Sequence, residues 1–313
     1  LAASYFFYAS WDWRFLGLMC LSTIVDWTLA RQIRLETVRA AAKRWVAASV
    51  ALNLCFLGVF KYFNFFAESA DVVLRSLGFD GNLGRLSVIL PVGISFYTFQ
   101  SISYIVDVYR GDVEPASSPV DFALFVAFFP HMVAGPIMRS RDLLPQFLSA
   151  RAFDYVGARR GAVQMLWGFF KKVVIADNLA PIVDRYYSAP GTSSGLQLAL
   201  ATAFFAFQIY CDFSGYSDMA VGCARLFSIR LMRNFAYPYF SQSMNEFWRR
   251  WHISLSTWFR DYFYIPLGGG RVPPLRREFN VLLTFLVSGL WHGASWNFVV
   301  WGGINGSAVV LER

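Results

Sequence analysis

The strongest constraint on this chain is the recurrence of apolar runs near the length of a membrane crossing, with charged side chains gathered mainly between them. A spanning helix needs about 20 mostly apolar residues. Such runs cover residues 14 to 30, 45 to 66, 86 to 106, 120 to 137, 161 to 176, 196 to 225 and 279 to 300, and another apolar stretch runs from 296 to 311. A soluble protein of 313 residues has the volume for a large core, but it separates its apolar segments with charge-faced amphipathic helices. Here 56% of the residues are hydrophobic and 15% charged, which points to lipid as the solvent. A bilayer core gives the backbone no water to bond, so only helices or a closed barrel can cross it. Runs of this length favour helices over roughly ten-residue alternating strands. The predicted fold class is all-α, a polytopic transmembrane helical protein.

No repeat and no low-complexity linker divides the chain, so residues 1 to 313 read as a single membrane domain. The polar breaks fall at Asp71 to Arg85, Gly111 to Pro119 and Ser188 to Gly195. Residues 238 to 278 alternate Trp, Tyr and Phe with Arg and Asp, a pattern suited to an interfacial or re-entrant segment. Pro266-Leu267-Gly268-Gly269-Gly270 is expected to end any helix there. The chain begins at Leu1 inside apolar sequence and ends at Arg313 close after another apolar run, so it is expected to be a fragment.

A formal charge of +8 fits juxtamembrane Lys and Arg, such as Arg31, Arg34, Arg39, Lys43 and Arg44, better than nucleic acid. No basic face with interleaved exposed aromatics separates from the membrane pattern. Cys20, Cys55, Cys211 and Cys223 have no CxxC spacing and read as small buried hydrophobes. Three histidines, 121 and 40 residues apart, give no metal-ligand spacing, so no metal is assigned. No GxSxG elbow, P-loop or Rossmann fingerprint is present.

Ionisable groups inside spanning segments cost about 2.5–3.5 kcal/mol on insertion scales, so each raises a functional question. In Gln208 to Asp218, the residues Asp212, Ser214, Tyr216, Ser217 and Asp218 suit a cavity wall that orients a substrate hydroxyl. They suit a helix–helix lock as well, which is the commoner use of such carboxylates. In Phe247 to Tyr262, the aromatics are ordinary interfacial anchors. His252 among them is open between ligand, proton carrier and satisfied structural histidine. In Ser288 to Asn297, Gly289 and Gly293 flank His292 and permit close approach of a backbone or substrate. A neutral imidazole there can act as a base. In Phe128 to Pro136, two prolines and a glycine break an apolar run, and His131 reads as structural rather than catalytic.

Taken together, five segments resemble the membrane-bound O-acyltransferase family, in the bacterial branch typified by the alginate O-acetyltransferase membrane subunit. They are Pro91 to Gln100, Phe129 to Ile137, Asp212 to Asp218, Phe247 to Gly269 and Trp291-His292-Gly293, in the family's order and over nearly the whole chain. The resemblance implies a tunnel through the fold, His292 as the catalytic histidine and His252 as the second active-site polar position. It also implies that the first helix and the helices after the catalytic one are absent from this sequence. No bound cofactor is implied. The donor is acetyl-CoA or another acyl thioester, and the acceptor a polysaccharide hydroxyl outside the cytoplasmic membrane of a bacterium. Periplasmic acetyltransferase proteins are the implied partners, besides membrane lipid itself.

In that chemistry His292 removes the acceptor proton as the hydroxyl attacks the thioester carbonyl, an effect worth about 10²- to 10⁴-fold. His252 stabilises the oxyanion or holds the thioester. Asp212, Ser214, Asp218, Arg249, Arg250 and Trp291 are candidates for substrate contacts, the two arginines at donor phosphates. D-alanyl transfer to teichoic acid, a transporter and a noncatalytic scaffold are the alternatives.

Overall fold

The computed structural model describes residues 1–312, and every regular element among them is helical. In chain order these are α1 Ala2–Leu35, α2 Arg39–Leu57, α3 Phe63–Ser76, α4 Ile94–Arg110, α5 Pro119–Ala127, α6 Phe129–Met132 and α7 Ser140–Leu148. They are followed by α8 Tyr155–Phe169, α9 Asp177–Ser188, α10 Gly195–Leu226, α11 Met244–Arg250, α12 Ile253–Phe259, α13 Pro274–His292 and α14 Trp296–Leu311. Wider π-helical turns at Gly58–Tyr62, Phe170–Ala176 and Arg260–Tyr264 join α2 to α3, join α8 to α9 and extend α12. Two of these rods, Arg39–Ser76 and Gly195–Leu226, are long and apolar enough to cross a bilayer.

Several sequence boundaries shift for local reasons. The run expected from residue 86 is extended as far as Pro91, and helix begins only after Gly93, whose φ of 73° turns the chain. The run from 120 to 137 is no single rod. It breaks at Phe128 into α5 and the single turn of α6, which Pro130 starts. The run from 279 to 300 is likewise two helices, because Gly293 leaves α13 in extended conformation and Ser295 caps α14 by accepting from the Asn297 amide. Residues 238 to 273 are short helices and turns, in keeping with their aromatic-cationic composition, the Pro-Gly stretch after Ile265 stops the last of these short helices, and α13 begins at Pro274.

Three packing groups organise the molecule. The first gathers α1, α2, α4 and α5 around buried Met19, Tyr97, Tyr104, Ile105, Phe122 and Phe125. Inside it the Asp26 carboxylate, wholly buried, accepts from Ser49 Oγ at 2.6 Å and from Asn53 Nδ2 at 3.0 Å. A buried carboxylate without such donors would cost several kcal/mol.

The second group is α10 against α8 and its π turn. Gly161 meets Gly222 and Gly168 meets Gly215 so closely that a Cβ on any of the four would stand 2.5–2.8 Å from a facing carbonyl oxygen. Small residues at matched positions let two backbones touch, the ordinary means of helix association in lipid. The opposite flank of this pair is apolar and exposed, with Leu166, Trp167, Phe170, Val174, Leu196 and Leu200 facing outward. Exposed apolar area of that extent needs a nonaqueous neighbour. The third group is the antiparallel pair α13 and α14.

Candidate functional site

The site forms where α13 ends and α12 begins. His252 precedes α12 with a φ of 44°, in the left-handed region that a residue with a Cβ seldom occupies. The conformation is held from both sides. Asn234 accepts from the Ile253 amide through its carbonyl at 2.9 Å and from Ser254 Oγ through its side chain at 2.9 Å. Its own amide donates to Ser217 of α10 at 3.2 Å. This pinning leaves the imidazole only 2% exposed, edge-on to Phe213 at 4.6 Å between ring centroids. Neither ring nitrogen has a hydrogen-bond partner among the described residues. A buried polar group left unpaired is uncommon and calls for a reason.

His292 is the last residue of α13. Its ring lies 6.4 Å from that of His252 and is walled by Trp291 at 5.1 Å, Trp301 at 5.1 Å and Phe298 at 6.4 Å. The two flanking glycines make room for protein. A Cβ on Gly289 would stand 2.1 Å from the Phe298 carbonyl oxygen, and one on Gly293 would stand 2.3 Å from the Phe298 ring. The close approach foreseen at these positions is therefore that of α14 itself.

A cavity of about 200 Å³ has Arg249, Ser256, Arg260, Thr284 and Ser288 in its wall. Neither histidine is among the residues that line it, although Ser256 and Ser288 stand four positions from His252 and His292 in the sequence. Arg249 belongs to it. Arg250 does not line it, since its guanidinium is engaged by Glu246, one turn back, and by the Tyr237 carbonyl at 3.5 Å.

The remaining sequence candidates fall elsewhere. Lys172 pairs with Asp212 at 2.5 Å and with Asp177 at 2.7 Å. Lys171 donates to Ser214 at 2.9 Å and pairs with Asp218, which also accepts from Gln164 at 2.7 Å. These contacts lock α10 to the π turn after α8. Ser214, Asp218 and Lys171 also line a second cavity of about 370 Å³ with Arg233 and Asn234. The face of α10 that meets the His252 segment carries Phe213 and Ser217 instead.

Trp291 is buried against Phe99 at 5.3 Å and Phe96 at 5.7 Å, in a cluster that also holds Trp258 stacked on Phe99 at 3.7 Å. It supports the site from beneath. His131 is buried against Phe128 and meets the side-chain amide of Gln100, away from the other two histidines. No group of three or more potential metal-binding side chains occurs among the described residues.

Two residues at the site had escaped notice in the sequence. The π turn Gly58–Tyr62 directs Lys61 and Tyr62 at the end of α13. Lys61 donates to the Trp291 carbonyl and to Ser95 Oγ at 3.1 Å, and Tyr62 donates to the Leu290 carbonyl at 3.0 Å. The last carbonyls of a helix have no intrahelical partner, and a cation beside them also complements the helix dipole. A lone lysine within the apolar run 45 to 66 was the available signal.

Comparison with known proteins agrees with this architecture. The family model for the membrane-bound O-acyltransferase family matches residues 115–313. The chain is 48% identical over its whole length to the probable alginate O-acetylase of Azotobacter vinelandii, covering 62% of that protein, and 46% identical to the one of Pseudomonas aeruginosa, covering 60%. It is 36% identical to the peptidoglycan O-acetyltransferase of Helicobacter pylori, with 99% of this chain and 63% of that protein aligned. The chain thus spans about three fifths of the length of these curated relatives. With the family model matching well over half of its residues, this chain belongs to the membrane-bound O-acyltransferase family.

Proposed function

We propose that the protein moves an acetyl group from a cytoplasmic thioester, acetyl-CoA being the simplest, toward hydroxyls of an extracytoplasmic polysaccharide of the alginate kind. The observation that carries this reading is the pair His252 and His292, brought to 6.4 Å between ring centroids from positions forty residues apart. The names of the most similar relatives support acetyl as the group and a polysaccharide as the acceptor. Teichoic acid D-alanyltransferases match over a smaller part of the chain and at lower identity, 30% in Streptococcus thermophilus, which makes D-alanyl transfer the second reading.

The chemistry assigned to the residues is acyl transfer. His292 takes the proton of the acceptor hydroxyl as its oxygen bonds to the thioester carbonyl carbon. The carbon–sulfur bond then breaks, and the thiolate leaves and is protonated. His252, with both nitrogens unpaired, donates to the oxygen that becomes negative on the way. The arginines at the cavity wall meet the donor's phosphates. In this reading the helices cross the bacterial cytoplasmic membrane several times around a tunnel that admits donor and acceptor from opposite sides. A periplasmic acetyltransferase completes delivery to the polymer.

The test is acetylation of the cell-surface polymer in cells that carry His292→Ala or His252→Ala at protein levels matched to the wild type. Both should lose acetylation. Normal acetylation with His292→Ala would sink the proposal.

A further inference from the structure

Lys61 sits where its own helix widens into a π turn and at the end of another helix. The turn Gly58–Tyr62 is wound as a π-helix between two ordinary α-helical stretches. Such bulges insert one residue into the ladder, re-aim the side chains that follow, and concentrate at functional sites. Here the re-aiming turns two neighbours, Lys61 and Tyr62, onto two neighbours of α13, Trp291 and Leu290. His292 is the next residue. The lysine is further held by Ser95 Oγ at 3.1 Å, and its ammonium stands 5.5 Å from the centre of the Trp291 ring. Trp291 in turn packs on Phe96 and Phe99 of α4. The final turn of α13 is thereby fixed by its backbone, through α2 and α4, as well as by the α14 contact at Gly289.

A helix end is the part of a helix most prone to fray, and its imidazole would move with it. Nothing hydrogen-bonds the His292 ring directly among the described residues, so its placement depends on its backbone and on the aromatic walls. We propose that Lys61, assisted by Tyr62, is a positioning residue for His292, holding the Leu290 and Trp291 carbonyls so that the imidazole keeps the register that proton transfer requires. This rests on the acyl-transfer reading above.

The experiment follows thiol release from acetyl-CoA by the full chain in inverted membrane vesicles supplied with acceptor. Lys61→Met keeps the length of the side chain and removes the donor. It should lower kcat by about 10- to 100-fold while leaving KM for acetyl-CoA within about twofold, as a misplaced catalytic group does. Tyr62→Phe, a smaller change that leaves the fold intact should Lys61→Met not assemble, should lower kcat several-fold in the same pattern. In the His292→Ala background neither substitution should cause further loss, because both act through that ring. Unchanged kcat in Tyr62→Phe and Lys61→Met would overturn the inference, and so would a loss that persists in full in the His292→Ala background. Failure of the acyl-transfer reading itself looks different: vesicles with the wild-type chain would then release no more thiol than vesicles that lack it.

Discussion

The imidazoles of His252 and His292 face one another at 6.4 Å between ring centroids, one in a strained left-handed turn and the other at a helix end. Neither nitrogen of His252 has a hydrogen-bond partner among the described residues. A side chain held in an uncommon backbone conformation with its polar atoms unpaired is what a waiting ligand site looks like. Because Asn tolerates φ near 44° better than most residues and carries an amide donor, we predict that His252→Asn keeps the fold and more activity than His252→Ala. The alanine variant should lose about 10²- to 10³-fold in thioester turnover. Equal activity in the two variants would remove His252 as a donor.

Gly289 and Gly303 provide a paired test of the contact between α13 and α14. Alanine at 289 puts a methyl 2.1 Å from a backbone oxygen, whereas at 303 it meets only Leu286 Cδ2 at 3.6 Å. Overpacking costs about 1–3 kcal/mol where side chains can yield, and a backbone yields less. Gly289→Ala should lower the thermal unfolding temperature in detergent and abolish activity, with Gly303→Ala close to wild type in both. Similar behaviour of the two would contradict the packing described here.

The pair of Lys171 and Asp218 ties the π turn after α8 to α10, and Lys171 is only 6% exposed. Removing one partner of a buried pair costs about 3–5 kcal/mol, and the partial exposure of Asp218 sets the lower end of that range. Lys171→Met should destabilise the protein accordingly, and adding Asp218→Asn should recover most of the loss. Activity should follow the amount of folded protein in both. A large fall in turnover at unchanged stability would instead assign this pair to the chemistry.

Arg249 and Arg250 are adjacent in sequence and separate in role. Arg249 lines the cavity it shares with Arg260 and Ser288, and Arg250 is bound to Glu246. We expect Arg249→Gln to raise KM for acetyl-CoA by about 10-fold, the loss of one charged hydrogen bond, and Arg250→Gln to leave it unchanged. Steady-state kinetics in membrane vesicles would decide.

The apolar runs made the helical class legible, and the aromatic-cationic pattern of 238 to 278 correctly marked broken structure. What sequence could not supply was direction around a helix. Asp212, Ser214 and Asp218 share one short segment with Phe213 and Ser217, yet the first three turn to the lysines after α8, Phe213 to His252 and Ser217 to Asn234. The helix end at His292 was hidden inside an apolar run, since Gly293 and Ser295 are too small to register as an interruption. Lys61 was overlooked because its partners are carbonyls, which every residue has. Contacts to backbone leave no mark in the identity of the partner.

Those carbonyls lie 228 and 230 positions downstream of the side chains that bind them. At a synthesis rate of about 5–20 residues per second, Lys61 is made on the order of tens of seconds before α13 emerges. Through that interval its ammonium must be sheltered by Ser95, by lipid headgroups or by the insertion machinery. Arrival of α13 then brings its last carbonyls onto a charge placed long before them, so the end of the helix that carries His292 takes its place only after a further 230 residues have been made.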